Sequence, residues 1–307
     1  MRVVFFGTPE FAVPSLEALL GEGFDVLAAV TQPDKPQGRS RSTAVPSPVK
    51  IAAEAEDVPV LQPERPSDPA FLERLRALAP DVGVVVAYGH ILKPDLLALP
   101  RHGMINLHPS LLPELRGAAP VEWSILNGLK QTGVTIMQME EGLDSGPVLL
   151  QIPHDIDPDV TGGELSEHLS EMGAQALVEA LALFGTNGLT PHAQEHARAT
   201  YAPKLTRDSA HIRWTDPAER VARMIRALDP KPGAWTELDG REVKLFGARV
   251  VEEGGAPGEV RTADDGLRIA AGQGAVLVDQ VQPAGKARMA AAEWLRGRGA
   301  RAGQRFG

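Results

Sequence analysis

Three side chains in this sequence have the types and spacing for chemistry: Asn106, His108 and Asp144. The first two stand two residues apart in the apolar run Met104-Ile105-Asn106-Leu107-His108. On a strand that spacing puts both on one face. Pro109 follows and ends the ladder, because it has no N–H to donate. Asp144 comes 36 residues after His108, in the glycine-flanked turn Gly142-Leu143-Asp144-Ser145-Gly146. A carboxamide, an imidazole that ordinarily titrates near about 6.5 and a carboxylate suit acyl transfer to an amine. As an amine adds to a carbonyl, the oxygen gains negative charge, which Asn106 and a protonated His108 can meet with N–H groups. The amine must lose a proton, which Asp144 can take directly or through water while holding the imidazole. The competing reading is structural, since Asn and Asp are common turn residues and a single His is often simply hydrogen-bonded.

Other chemistries are disfavoured. The chain has no cysteine, so it has no thiolate nucleophile, disulfide or zinc–thiolate site. Ser110 lacks the G-x-S-x-G elbow, which argues against a covalent acyl-enzyme. His192 and His196 have metal-ligand spacing if helical, but Pro191 and polar flanks indicate a surface segment. Glu140, Glu141 and Asp144 carry charge for Mg²⁺, yet no phosphate-binding loop accompanies them. No metal is expected.

The elements that must position these residues alternate. A strand at 3–6, a helix ending at Gly21-Glu22-Gly23 and a strand at 24–30 read as a β-α-β unit. The first turn, Gly7-Thr8-Pro9-Glu10-Phe11, lacks the glycines of a dinucleotide site. Helices at 48–56 and 69–78 and strands at 58–61 and 82–87 continue the pattern. Val82-Gly83-Val84-Val85-Val86-Ala87 is apolar throughout, as a central parallel strand should be. Tyr88-Gly89-His90-Ile91-Leu92 leaves its carboxyl end, the side on which open α/β sheets bind ligands. The strand at 104–108 ends on the same side. A helix at 118–128 is expected to bury Trp123 and Leu126; strands follow at 133–139 and 148–152. Thr161 and Glu164 form a capping box for a helix to 184.

Beyond 203–208 the pattern changes. A helix at 217–228 precedes five short strand-like segments at 234–239, 242–251, 257–262, 267–270 and 275–282, with a helix at 289–297. The reading is α/β: a Rossmann-like domain with a mostly parallel sheet over 1–203, then a small β-barrel of the oligonucleotide-binding type over 204–307.

Charge divides along the same line. Residues 1–206 carry net −12 and residues 207–307 net +3, with Lys286, Arg288, Arg296, Arg298, Arg301 and Arg305 against Glu293 alone at the end. One half is thus suited to a polyanion; a solvated basic tail is the alternative. The Pro-, Gly- and Ser-rich loop 31–48 carries Lys35, Arg39 and Arg41, so it can touch phosphate or simply be a surface loop. No apolar run is long enough to span a membrane, and the amino terminus lacks the pattern of a signal peptide, so a cytoplasmic protein is expected.

Several motifs together resemble the folate-dependent formyltransferases: Asn106-x-His108-x-Ser110-Leu111-Leu112-Pro113, Arg116-Gly117-Ala118-Ala119-Pro120, Gly133-Val134-Thr135-Ile136-Met137-Gln138-Met139 and Gly142-Leu143-Asp144-x-Gly146. Phe6-Gly7-Thr8-Pro9, Thr31-Gln32-Pro33-Asp34, Pro46-Ser47-Pro48-Val49-Lys50, Val84-Val85-Val86-Ala87-Tyr88-Gly89 and Tyr201-Ala202-x-Lys204-Leu205 narrow the likeness to the branch that formylates initiator tRNA. The resemblance covers essentially the whole chain.

It implies transfer of a formyl group from 10-formyltetrahydrofolate to the amino group of methionyl-initiator tRNA, without a metal; a monomer is expected. It implies Asn106, His108 and Asp144 as the catalytic trio, with Ser110, Leu111, Leu112 and Pro113 in the folate-binding segment. Tyr88, Ile91 and Leu92 fall on the wall of the pterin pocket. The loop with Lys35, Arg39 and Arg41 meets the tRNA acceptor end, and the second domain binds tRNA. Two departures stand out: Gly38-Arg39-Ser40-Arg41 replaces consecutive lysines, and Pro109 stands where relatives carry Gly. A formyltransferase for a small amine, with no use for the basic loop, and a non-catalytic RNA-binding protein, with no need of the trio, are the competing readings.

Overall fold

The computed structural model describes residues 1–36, 44–184, 188–252, 254–263 and 266–307. The chain forms two compact units. One comprises Met1–Gly117, Thr132–His154 and Ser166–Tyr201; the other comprises Ala118–Gln131, Asp155–Leu165 and Ala202–Gly307.

The elements run β1 (Arg2–Gly7), α1 (Val13–Gly21), β2 (Asp25–Val30), β3 (Lys35–Pro36), β4 (Ala44–Val45), α2 (Pro48–Ala55), β5 (Val60–Leu61), α3 (Pro69–Leu78), β6 (Val82–Val86), α4 (Pro94–Leu97), β7 (Met104–His108), β8 (Arg116–Gly117), α5 (Pro120–Leu126), β9 (Gln131–Gln138), β10 (Val148–Asp155) and α6 (Gly162–Phe184). Their sheet has the order β10-β9-β7-β6-β1-β2-β5. β1, β2, β5, β6 and β7 pair in parallel, and β9 joins β7 antiparallel. This is the mostly parallel sheet the alternating pattern predicts. Ser47 caps α2 by accepting from the Lys50 N–H, and Asp68 caps α3 from the Ala70 N–H, each with proline next in sequence. Thr161 and Glu164 exchange the two bonds of a capping box.

The central strands β1, β6 and β7 are buried on both faces, which is why they lack polar alternation. Val4, Phe6, Val85 and Met104 pack with Phe71, Leu72 and Leu75 of α3 and with Leu96 and Leu97 of α4. Within the same unit Gly173 of α6 lies so close to β7 that a Cβ there would meet Leu107 Cδ2 at 2.7 Å. Leu107 therefore faces α6, and Asn106 and His108 point the other way.

The chain continues with β11 (Tyr201–Ala202) and then, in the second unit, α7 (Ala218–Ala227), β12 (Ala234–Leu238), β13 (Arg241–Val251), β14 (Val260–Ala263), β15 (Gly266–Ala270), β16 (Ala275–Pro283), β17 (Met289–Ala290) and α8 (Ala291–Arg296). The sheet order β12-β13-β16-β15-β14 is antiparallel throughout. The carboxyl-terminal residues bond to both edges: Gly307 exchanges N–H···O bonds with Glu237, and Gln304 O accepts from the Val260 N–H at 2.8 Å. Both edges are thereby satisfied, which curls the sheet into a small barrel. Val221 and Ile225 of α7 and Trp294 of α8 join its core. Trp123 and Leu126, expected in the core, are only half-buried. The indole of Trp123 keeps its polar edge outward, donating from Nε1 to Pro203 O at 2.8 Å.

Candidate active site

β7 is buried along its whole length and delivers Asn106 (8% exposed) and His108 (4% exposed) at its carboxyl end. Across the ladder Asn106 stands opposite Met137, and His108 opposite Thr135. His108 Nε2 lies 3.0 Å from Leu115 O. A carbonyl can only accept, so Nε2 carries the hydrogen and Nδ1 is the ring nitrogen left for chemistry. Nδ1 faces Asp144, whose Oδ2 is 3.8 Å away. That separation is too long for a direct hydrogen bond and leaves Nδ1 accessible to a reacting group. The same Oδ2 accepts the Gly117 N–H at 2.8 Å.

Both partners of His108 sit on left-handed backbone. Leu115 and Asp144 have φ of 58° and 47°. Aspartate tolerates this conformation readily, whereas leucine holds it only where the surroundings enforce it. Leu115 is held by burial and by its N–H, which donates to Thr200 Oγ1 at 2.9 Å. The Asp144 turn is held by Gln194, whose Nε2 donates to Asp144 O at 2.9 Å and to Gly146 O at 2.7 Å.

The segment after β7 is tied internally. Ser110 Oγ donates to Glu114 O, and Thr135 Oγ1 donates to Ser110 O while accepting from Leu112 N–H and Gln151 Nε2. Ser110 and Leu112 are buried; Leu111 and Pro113 are half-buried. Tyr88 sits with its ring 1% exposed in the apolar cluster, edge-on to Phe6 at 5.5 Å, and Leu92 joins the same cluster. Burial pushes the Tyr88 phenol up to about 12. Ile91 is 87% exposed. A shallow, open depression of about 370 Å³ is lined by Pro94, Leu97, Ala98, Met139, Glu140 and Glu141. It lies just beyond the 88–92 turn and just before the Asp144 turn in sequence, and the seven residues named for folate are not among its lining.

In the basic loop, Asp34 pairs with Lys50 Nζ at 2.7 Å and accepts from Gln62 at 2.7 Å, and the Lys50 bond and then the Gln62 bond hold its carboxyl below the usual range. Lys35 is exposed and donates to Gln32 instead. Arg39 and Arg41 lie outside the described residues. His192 bridges to Val148 and His196 accepts from Arg116, so the two histidines do not converge. Among the described residues no cluster of three His, Asp or Glu side chains is placed to hold a metal, and no helix is long and apolar enough to cross a membrane.

Sequence reasoning gave no role to Gln194, Arg116, Thr135 or Gln151. Gln194 comes from a polar loop, with no periodicity to mark it as buried.

A buried amide and imidazole at the end of a parallel strand, facing a carboxylate on a turn, agree with what comparison shows. Residues 1–181 match the formyl transferase family and residues 204–299 match the formyl transferase C-terminal domain. The chain belongs to the formyl transferases. Full-length relatives carry one name within that family, methionyl-tRNA formyltransferase. The one from Magnetococcus marinus is 49% identical, covering 100% of this chain and 98% of the relative; that from a Roseiflexus species is 48% identical, covering 100% and 95%. Among solved structures, a HypX variant from Aquifex aeolicus aligns over 97% of this chain with a TM-score of 0.69 at 21% identity, and the chain spans 47% of HypX. WlaRD, a sugar 3N-formyl transferase, aligns over 94% of this chain and 99% of its own with a TM-score of 0.67 at 17% identity. At those identities the likeness is one of fold.

Proposed function

We propose that the protein transfers the formyl group of 10-formyltetrahydrofolate to the α-amino group of methionine on initiator tRNA. The observation that carries this reading is near-50% identity across both units to relatives named for that activity. Residues 1–203 are assigned to formyl transfer and residues 204–307 to tRNA binding. The protein acts as a monomer in the cytoplasm.

Asn106 and His108 donate to the formyl oxygen as it gains charge, in a setting dry enough for each bond to count. His108 does so from Nδ1 in its protonated, imidazolium form, in which both ring nitrogens carry hydrogen, since Nε2 is committed to Leu115 O. Asp144 accepts the proton that the attacking amine loses, directly or through a water in the gap to His108. The departing nitrogen of the donor must gain one proton, so the exchange balances without a covalent enzyme intermediate. The open depression lined by Leu97, Met139, Glu140 and Glu141 offers apolar side chains and carboxylates that can accept N–H bonds to one face of a heteroaromatic ring. Ser110, Leu111, Leu112 and Pro113 form the folate-binding segment in this reading. Lys35, Arg39 and Arg41 meet acceptor-stem phosphates.

The test is formyl transfer from 10-formyltetrahydrofolate to charged initiator tRNA, set against free methionine and sugar amines. Formylation of tRNA alone is expected. Activity on small amines with none on tRNA would leave a small-molecule formyltransferase, and no transfer at all would leave an RNA-binding protein.

A further inference from the structure

Gln194 is 7% exposed in a stretch, 191–198, whose other side chains are all exposed. Its carboxamide makes four bonds. Nε2 donates to Asp144 O and Gly146 O, and Oε1 accepts from Arg116 Nε at 3.1 Å and Nη2 at 2.6 Å. The orientation is dictated by chemistry, because carbonyls only accept and a guanidinium only donates. Arg116 is itself 4% exposed and also donates to His196 Nδ1 at 3.1 Å. Among the described residues no carboxylate lies within salt-bridge distance of Arg116, so the Gln194 dipole is its main neutral partner.

The two things Gln194 joins are the two things that place the Asp144 carboxylate. One is the left-handed turn that carries Asp144. The other is Arg116, next in sequence to Gly117, whose N–H holds Oδ2. We propose that Gln194 is a positioning residue: it clamps the Asp144 turn to the Arg116-Gly117 strand and so sets the carboxylate against His108 Nδ1. The inference rests on the reading of Asp144 as part of the reacting site. A glutamine serves where an acid or a hydrocarbon would not, because the site needs two donors on one side and an acceptor on the other.

The experiment is a double-mutant cycle on the full-length enzyme with charged initiator tRNA. Q194E retains a partner for Arg116 but sets an oxygen against the carbonyls of Asp144 and Gly146. It is expected to stay folded at the assay temperature with a lowered thermal midpoint, to lose at least tenfold in kcat beyond what its unfolded fraction explains, and to change KM for either substrate less than threefold. Q194N is one methylene too short to span both contacts and should lose kcat in the same direction. Combined with D144N, either change should add less than a twofold further loss, because its effect passes through the carboxylate. Wild-type kcat in Q194E, or a loss of equal size with and without D144N, overturns the proposal. D144N with wild-type kcat would instead overturn the role of Asp144 and leave Gln194 with nothing to position.

Discussion

Asp144 Oδ2 lies 3.8 Å from His108 Nδ1, with 5% of the histidine side chain and 17% of the aspartate side chain exposed. The pair is buried enough to be electrostatically effective and open enough to admit a substrate atom. Asp144→Asn keeps the shape and can still accept the Gly117 N–H, so the fold should hold. Removing the charge and the base should lower kcat by about 10²- to 10⁴-fold, the usual contribution of a positioned acid or base. Steady-state kinetics beside a thermal melt checks this; an unchanged kcat removes Asp144 from the mechanism.

Tyr88 makes a prediction about stability. Its hydroxyl is buried with no hydrogen-bond partner among the described residues, and its phenol is pushed up to about 12 from 10.0 by burial. An unsatisfied buried hydroxyl costs roughly 1–3 kcal/mol. Tyr88→Phe should therefore be as stable as the parent at pH 7 or more so, by about 1 kcal/mol. The phenol ionises at lower pH in the unfolded chain, so its contribution is complete below pH 10 and is lost as pH rises toward 12. Urea titrations should show the parent weakening across that window and the Phe variant weakening less. Equal decline in both would show that another group governs alkaline unfolding.

Gly146 is fixed by close approach. A Cβ there would stand 2.0 Å from Gln138 O, so Gly146→Ala must displace the turn that carries Asp144. A stability loss of about 1–3 kcal/mol is expected, from overpacking. The loss in kcat should exceed what the unfolded fraction explains, read by kinetics under conditions where the variant is folded. Full activity in the folded variant would show that the turn can move without consequence.

Removing Lys35, Arg39 and Arg41 together should raise KM for tRNA and leave KM for the formyl donor unchanged. If the three side chains meet phosphates, the slope of log affinity against log salt should flatten by about 2 to 3. An unchanged slope would place the tRNA contacts elsewhere, and a raised KM for the formyl donor would place this loop at the folate site.

Much of this was written in the order of residues. Apolar runs bounded by glycine and proline mark the strands of the first unit, and Thr161 with Glu164 marks a helix start, because capping and period are local. The i, i+2 spacing of Asn106 and His108 already put them on one face of β7. Glycine-punctuated short strands foretold the small barrel, though its closure by Gln304–Gly307 depends on the two ends of the sheet meeting, which no local signal carries.

The tertiary structure alone decided the rest. It chose which His108 nitrogen is free, because the Leu115 carbonyl that claims Nε2 is brought there by a left-handed turn seven residues away. It packed the Tyr88 ring edge-on to Phe6 and set Leu92 in the same apolar cluster, a pairing of residues far apart in the chain. It drew Gln194 out of a polar loop and buried it between Arg116 and the Asp144 turn, a placement without period or motif. Strand spacing is a property of the neighbouring residues and can be read from them. The hydrogen bonds that aim a carboxylate at an imidazole join residues 27 to 78 positions apart, and only folding brings them together.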